Sequence, residues 1–179
     1  MRADRLSAWP ARMLAAGLAA AALAACAVTD KGPAQPSFYA SMATADVQLD
    51  AAAAASMISG YRANHGLGAV TLDTQLMQIA DTQAREMVAR DKLDRNVGSA
   101  LSARLKRSSY DAKVAAENVS AGYHTLAEAF SGWRDSPPHR ATMLLKGADR
   151  MGIAAVYAPS SKYKVFWTLI LAAPGERRG

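Results

Sequence analysis

The sequence contains one cysteine and three histidines, and both shortages limit the chemistry that it can support. Cys26 has no second cysteine to pair with, so an intramolecular disulfide is excluded. Any site built on imidazole groups has to use His65, His124 or His139. No nucleophile with an adjacent base is recognisable, and Ser136, which precedes two prolines, is better explained as a helix cap.

Concentrated positive charge and a long hydrophobic span are also missing. The formal net charge of +6 is spread along the chain, and its densest basic cluster, Ala103–Arg107, is typical of a solvated helix face. Nucleic-acid binding usually needs a basic patch and is therefore not predicted. The uncharged apolar run Met13–Ala25 is shorter than the roughly 20 residues of a permanent membrane-spanning helix.

The N-terminus has the pattern of a lipoprotein signal peptide. A head with three arginines precedes the apolar run, which ends in small residues. The segment LAAC, Leu23–Cys26, resembles the bacterial lipobox, whose cysteine is linked to diacylglycerol and becomes the new N-terminus. An incidental cysteine in a small-residue signal is the plainer alternative. Ala27 follows the cysteine, and in Gram-negative lipoproteins a residue other than aspartate there implies delivery to the outer membrane.

These observations divide the chain into four parts. Residues 1–25 are predicted to be the signal peptide, and residues 26–46 the lipidated Cys26 with a flexible tether that contains two prolines and a glycine. Residues 47–174 are long enough for one domain with its own core, and residues 175–179 are predicted to be a disordered tail. We expect a monomer that is held at a membrane of the bacterial envelope through Cys26.

Local signals predict where the helices begin. Signals for a helix start stand at Asp50, Asp73, Thr125 and Ser136. The segment TLAE, from Thr125 to Glu128, matches a capping box, and Pro137 suits the first position of the helix that Ser136 would cap. A further short helix is expected around Ala103.

Extended segments are predicted in the second half of the chain. The segment AENVSAG contains residues that disfavour a long helix, and MGIAAVYA and KVFWTLILAA have the composition of strands. The second of these is an almost continuous apolar run, typical of a strand buried on both faces. PSSK, Pro159–Lys162, has turn composition and would join the two as an antiparallel hairpin. The pattern predicts an α+β fold, a three-layer α/β/α sandwich with a small, mainly antiparallel central sheet.

Four polar residues near the ends of these elements are candidates for a site: Glu117, Glu128, His139 and Arg95. Side chains at element ends can converge on a cleft, where two carboxylates and an imidazole could exchange protons or hold a metal. Spacing alone does not decide between these chemistries.

The segments YRANHGLGAVTLDTQL, AENVSAG, AEAFSGWRDSPPHR and FWTLILAAP follow one another in the order and spacing of a known superfamily. From about Val47 to Pro174 the chain resembles the CAP proteins, which include the cysteine-rich secretory, antigen 5 and pathogenesis-related proteins and many bacterial relatives. The resemblance implies the same α/β/α sandwich with a central cleft.

In that superfamily the cleft often holds two histidines and two glutamates, and the histidines can bind a divalent metal such as zinc. The resemblance assigns the glutamates to Glu117 and Glu128 and the second histidine to His139. The position of the first histidine is taken by Arg95, which stays protonated and is not a metal ligand at neutral pH. A bound metal is therefore not expected, although His139 with two carboxylates would be a conceivable zinc site. We also consider that Arg95 bridges Glu117 and Glu128 in place of the metal.

Plainer roles are open for the same residues. Glu128 would be explained fully by a capping box, Glu117 by a backbone hydrogen bond at a strand end, and His139 by a structural contact in its helix. His65 and His124 have the placement of exposed residues without function. Asn118 is a candidate to brace the cleft through its side-chain amide.

Two functions of different classes follow from the resemblance. The first is a lipid-anchored envelope protein whose cleft binds a small molecule, a lipid or a peptide without catalysis. The second is a hydrolase of envelope material, with Glu117 or Glu128 as the base and His139 positioning water or a metal. A structural protein that contacts partners through its surface is a third, weaker reading. No residue is assigned a catalytic role firmly.

Overall fold

The computed structural model describes residues 35–175, which fold around a four-stranded sheet. The predicted signal peptide, Cys26 and the first part of the predicted tether lie outside the described residues, as do residues 176–179 of the predicted tail. The main helices are α1 (Ala51–Ala63), α2 (Thr74–Ala89), α3 (Leu101–Arg107), α4 (Leu126–Asp135) and α5 (Pro137–Met143), and the strands are β1 (Thr71–Leu72), β2 (Ala112–Ala121), β3 (Arg150–Ala158) and β4 (Lys164–Pro174). None of these helices combines the length and the hydrophobicity needed to cross a membrane.

The helices begin where the local signals predict. The Asp50 and Asp73 side chains accept backbone N–H bonds in the first turns of α1 and α2. Thr125 and Glu128 form the reciprocal capping box at the start of α4. Ser136 stands at the N-cap of α5, but its side chain makes no capping hydrogen bond, so the proline after it defines this helix start.

The sheet has the strand order β1-β3-β4-β2. β3 and β4 form the predicted antiparallel hairpin, and β2 pairs antiparallel with the other side of β4. β1 pairs in parallel with the start of β3, so the sheet is mixed. This two-residue strand was not predicted, because two residues are too few to show an alternating pattern. The predicted α+β sandwich with a mainly antiparallel sheet is confirmed.

The sheet lies between two helical layers. Side chains of α1, α4 and α5 form one core with Trp167 and Leu169 of β4, and side chains of α2 and α3 form the other with Ile170. Phe166 packs in a third cluster beside α2. All four of these β4 side chains are fully buried, which confirms the prediction of a strand covered on both faces.

The segment before α1 differs from its prediction. Residues 37–43 fall within the predicted flexible tether, yet they contain a 3₁₀ turn and pack against the core that α1 and α4 share. Met42 is buried, and its backbone N–H donates to the carbonyl of His124 at 2.6 Å. Because Phe38 and Met42 are large apolar side chains with a core surface beside them, they bury there instead of remaining in solvent. The packed domain therefore begins near Ser37 rather than at residue 47.

Arg62 on α1 is a buried cation that the sequence analysis did not identify; only 1% of it is exposed. Its Nε donates to the carbonyl of Gly68 at 2.8 Å, and its Nη2 donates to that of Ala148 at 2.7 Å. Its Nη1 donates to the carbonyls of Met143 at 2.9 Å and Leu145 at 3.0 Å. One guanidinium therefore ties the end of α1 to the loop between α5 and β3.

Candidate functional site

Glu117 on β2 is engaged by a buried arginine that the sequence analysis did not identify. Its two carboxylate oxygens accept from Nη1 and Nη2 of Arg104 on α3, each at 2.8 Å. The two side chains are 4% and 5% exposed. This is the bidentate fork that guanidinium and carboxylate groups favour. Burial raises the pKa of Glu117, while the hydrogen bonds and charge of Arg104, and the charge of Arg95, act in the opposite direction.

The fork replaces the bridge considered from the sequence. That hypothesis, with Arg95 joining Glu117 and Glu128, is wrong, because among the described residues Glu117 pairs with Arg104, Glu128 bonds the start of α4, and neither carboxylate bonds Arg95. The assignment of Ala103–Arg107 to a solvated face is also wrong for one of its three basic residues, since Arg104 is 4% exposed. A signal was present: Leu101, Arg104 and Leu105 recur at helical spacing and share the inward face of α3.

Arg95 lies on the loop before α3, and its backbone is firmly held. Nε2 of the fully buried Gln83 donates to the carbonyls of Asp94 at 3.0 Å and Arg95 at 3.2 Å. Nη2 of Arg104 also donates to the Arg95 carbonyl at 3.4 Å, and Nε of Arg104 donates to that of Ser99 at 3.2 Å. The buried residues Gln83 and Arg104 thus fix the backbone from which the exposed Arg95 side chain projects.

A cavity of about 310 Å³ lies beside this loop at the edge of the sheet. Its lining comes from the loop, α3, β2 and α5: Arg95, Asn96, Leu101, Ala115, Ala116, Glu117 and Thr142. β2 pairs only with β4 among the described strands, so it is an edge strand, and three of its residues line this cavity. The volume is at the lower end of the range of small-molecule sites, about 300–1,000 Å³.

His139 and Asn118 connect the cleft to α5. The Asn118 side chain is fully buried, and its Nδ2 donates to the His139 carbonyl at 2.9 Å, which is the bracing role considered from the sequence. Its Oδ1 makes no hydrogen bond with the protein residues described. The His139 side chain is half-buried; burial and the charge of Arg95 lower its pKa. The imidazole is therefore neutral near pH 7.

Glu128 has the plainer of its two roles. Its Oε2 accepts from the backbone N–H of His124 at 2.6 Å and of Thr125 at 3.2 Å. Within residues 35–175 no hydrogen bond or ion pair joins it to Glu117, Arg95 or His139. The capping box therefore accounts for this carboxylate. His65 lies in the turn after α1, and its Nδ1 is 2.8 Å from the carbonyl of Tyr61 in that helix.

The residues that the resemblance assigns to the tetrad do not fit a divalent metal. Glu117 gives both oxygens to Arg104, Glu128 bonds the start of α4, and Arg95 stands in for one imidazole. In the described part of the chain, no three His, Cys, Asp or Glu residues form a group that could hold a metal ion. A lone imidazole is too small a ligand set for zinc, which takes three or four protein ligands.

The sequence matches a family model described as the cysteine-rich secretory protein family, CAP, over residues 55–171. Among curated proteins, no sequence matches this chain.

Three solved bacterial structures have the same fold. An outer surface protein of Borrelia burgdorferi superposes with a TM-score of 0.64 at 16% identity, over 73% of this chain and 97% of that protein. An extracellular protein of Bacillus anthracis that contains an SCP domain has a TM-score of 0.59 at 21% identity, over 68% of this chain. A cysteine-rich secretory protein of Staphylococcus aureus has a TM-score of 0.56 at 19% identity, also over 68% of this chain. This chain matches only 39% of the Bacillus anthracis protein and 37% of the Staphylococcus aureus protein, so it corresponds to less than half the length of either.

Proposed function

Because this chain belongs to the cysteine-rich secretory protein family, CAP, we propose that it is a lipid-anchored protein of the bacterial envelope whose cleft binds a ligand without catalysis. The anchor is Cys26 of the lipobox-like segment, and Ala27 favours the outer membrane. The bacterial relatives described as an outer surface protein and an extracellular protein support a place outside the cytoplasm. The ligand is a small molecule, a lipid or a peptide.

The observation that supports a binding role best is the fork between Arg104 and Glu117. A general base has to accept a proton from its substrate, and a metal ligand has to offer a free lone pair. Glu117 is buried, and both of its oxygens accept from Arg104, so either task would compete with the charge and hydrogen bonds of the fork. The carboxylate instead fixes α3 and the Arg95 loop against β2, which gives the cleft a rigid wall.

Hydrolysis of envelope material remains the second candidate because of one observation. His139 has a lowered pKa, and a neutral imidazole can take up a proton at neutral pH. A catalytic histidine is usually oriented by a hydrogen bond to its second ring nitrogen. The ring of His139 makes no such bond with the residues described, which is why binding is the preferred proposal.

Zinc calorimetry on the protein purified from membranes in an uncharged detergent tests the metal-assisted form of the second candidate. We expect no zinc site in the wild type and a weak site of two imidazoles completed by water in Arg95→His, which restores the first histidine of the family. His139→Ala in the Arg95→His background should remove that site again. Zinc bound by the wild type and lost in His139→Ala would contradict the binding proposal and favour the hydrolase.

The anchor has its own test. In a Gram-negative host, Cys26→Ser should abolish processing by the lipoprotein pathway and prevent acylation, which is measured by incorporation of a labelled fatty acid. Ala27→Asp is the matched variant, because it should leave acylation intact and move the protein from the outer-membrane to the inner-membrane fraction. Labelling of Cys26→Ser at the wild-type level would show that Cys26 is not the anchor.

A further inference from the structure

The Arg95 guanidinium is a cation without a partner beside the cleft. It makes no hydrogen bond or ion pair with any residue between positions 35 and 175. The nearby acids are already paired: Glu117 with Arg104 and Asp94 with Lys92 at 3.0 Å. The cleft therefore carries one uncompensated positive charge, at the position where the family arrangement would have a histidine.

The backbone that carries the Arg95 side chain is fixed by hydrogen bonds in the absence of a ligand. Gln83, which is fully buried, donates to the carbonyls of Asp94 and Arg95, and the N–H of Asn96 donates to Oδ1 of Asp94 at 2.9 Å. A fixed backbone lowers the entropy that is lost when a ligand orders the residues around it. Only side chains, above all that of Arg95, have to be ordered on binding.

Neutral hydrogen-bonding groups line the same cavity. Thr142 on α5 is nearly buried, with 8% of the residue exposed, and it lines the cavity. Its hydroxyl makes no hydrogen bond with the described residues. Asn96 lines the cavity next to Arg95, and its side-chain amide makes no hydrogen bond within the described part of the chain. A hydroxyl and an amide both donate hydrogen bonds to oxyanions.

We propose that the cavity lined by Arg95, Asn96 and Thr142 binds an oxyanion, a carboxylate or a phosphate group that is part of the ligand. The Arg95 guanidinium supplies the counter-charge and a planar fork, and the other two residues supply neutral donors. A cavity of about 310 Å³ accommodates the oxyanion with a small part of the molecule that carries it. The inference rests on the proposed function, because it names the ligand class of that cleft.

The test is a titration of the ¹⁵N-labelled full-length protein, in an uncharged detergent and at constant ionic strength, with inorganic phosphate and with acetate. We expect saturable shifts of the Arg95 and Thr142 resonances. Arg95→Gln should weaken binding about tenfold, because it removes a charge-assisted hydrogen bond. Thr142→Val should weaken it less. Arg140→Gln is the matched control, since Arg140 is also an exposed arginine near His139 but does not line the cavity.

Each arm of the experiment has a defined meaning. Shifts with phosphate alone identify a phosphate-bearing ligand, shifts with acetate alone identify a carboxylate, and shifts with both support a general oxyanion site. Unchanged affinity in Arg95→Gln, or an equal loss in Arg140→Gln, would overturn the inference. An absence of anion binding beside an absence of zinc binding rejects only the ligand class. Zinc binding that depends on His139 rejects the proposed function, whatever the anions do.

Discussion

Replacing Arg62 with methionine removes a buried charge and four hydrogen-bond donors from a site that has no carboxylate among its bonding partners. Two of the acceptors, the carbonyls of Met143 and Ala148, lie in buried positions. Each would lose its partner at a cost of about 1–3 kcal/mol. The other two carbonyls are partly accessible and can bond water. We expect Arg62→Met to lower the free energy of unfolding by about 3–4 kcal/mol, a large part of the roughly 5–15 kcal/mol typical of a domain.

The assay is equilibrium unfolding in urea, followed by the fluorescence of Trp133 and Trp167, which are both fully buried. Arg85→Met is the matched control, because the Arg85 side chain is 66% exposed and pairs with Asp81 only at the surface of α2. Such a pair is worth roughly 0–1 kcal/mol. A loss in Arg62→Met no larger than in Arg85→Met, at an unchanged dependence on urea, would refute the account of Arg62.

Three further predictions concern the fork, the packing of the sheet and the cleft histidine. Arg104→Met should lower the free energy of unfolding in urea by about 3–5 kcal/mol, because it leaves the Glu117 charge buried and unpaired. Adding Glu117→Leu should recover most of this loss. A double variant as unstable as the single one contradicts the pairing. Gly152→Ala should lower the midpoint of thermal unfolding, because the added Cβ would overlap the backbone of α2. Gly60→Ala should raise it through a gain of about 0.5–1 kcal/mol, because this glycine lies inside α1 and its added Cβ meets open space. Shifts of the same sign in the two variants refute this contrast. The NMR titration of His139 should have its midpoint below 6.5, the ordinary pKa of the imidazole. As the pH falls, the unfolded chain takes up the proton before the folded protein does, so folding stability rises with pH between the folded pKa and 6.5. A midpoint at or above 6.5 contradicts the burial of the ring.

The elements predicted most accurately are those with a local cause. Asp50 and Asp73 cap the helices that follow them, and the capping box of Thr125 can be read from four consecutive residues. The hairpin of β3 and β4 likewise needs only two apolar runs and a turn between them. These signals act over a few residues, so one sequence is enough to identify them.

The features that were missed depend on contacts between distant parts of the chain. Arg62 bonds carbonyls 81 to 86 residues away, and a buried arginine has the same letter as a solvated one. Arg104 was placed on the surface because its neighbours are basic, although Glu117, 13 residues on, is its partner. The roles of Glu128 and Arg95 could not be decided either, because a capping carboxylate and a cleft carboxylate differ only in tertiary position.

The packing of residues 37–43 sets how far the domain can stand from a membrane. With lipid on Cys26, only residues 27–36 separate the anchor from the first packed residue, half the number in the predicted tether. A chain extends at most about 3.6 Å per residue, so ten residues cover no more than about 36 Å in any conformation. A domain of this size has a radius of gyration of about 14 Å, so that distance is close to its own width. Under the proposed anchoring at Cys26, the cleft would be confined to the layer next to the bilayer, and its ligand would have to be present at the membrane surface.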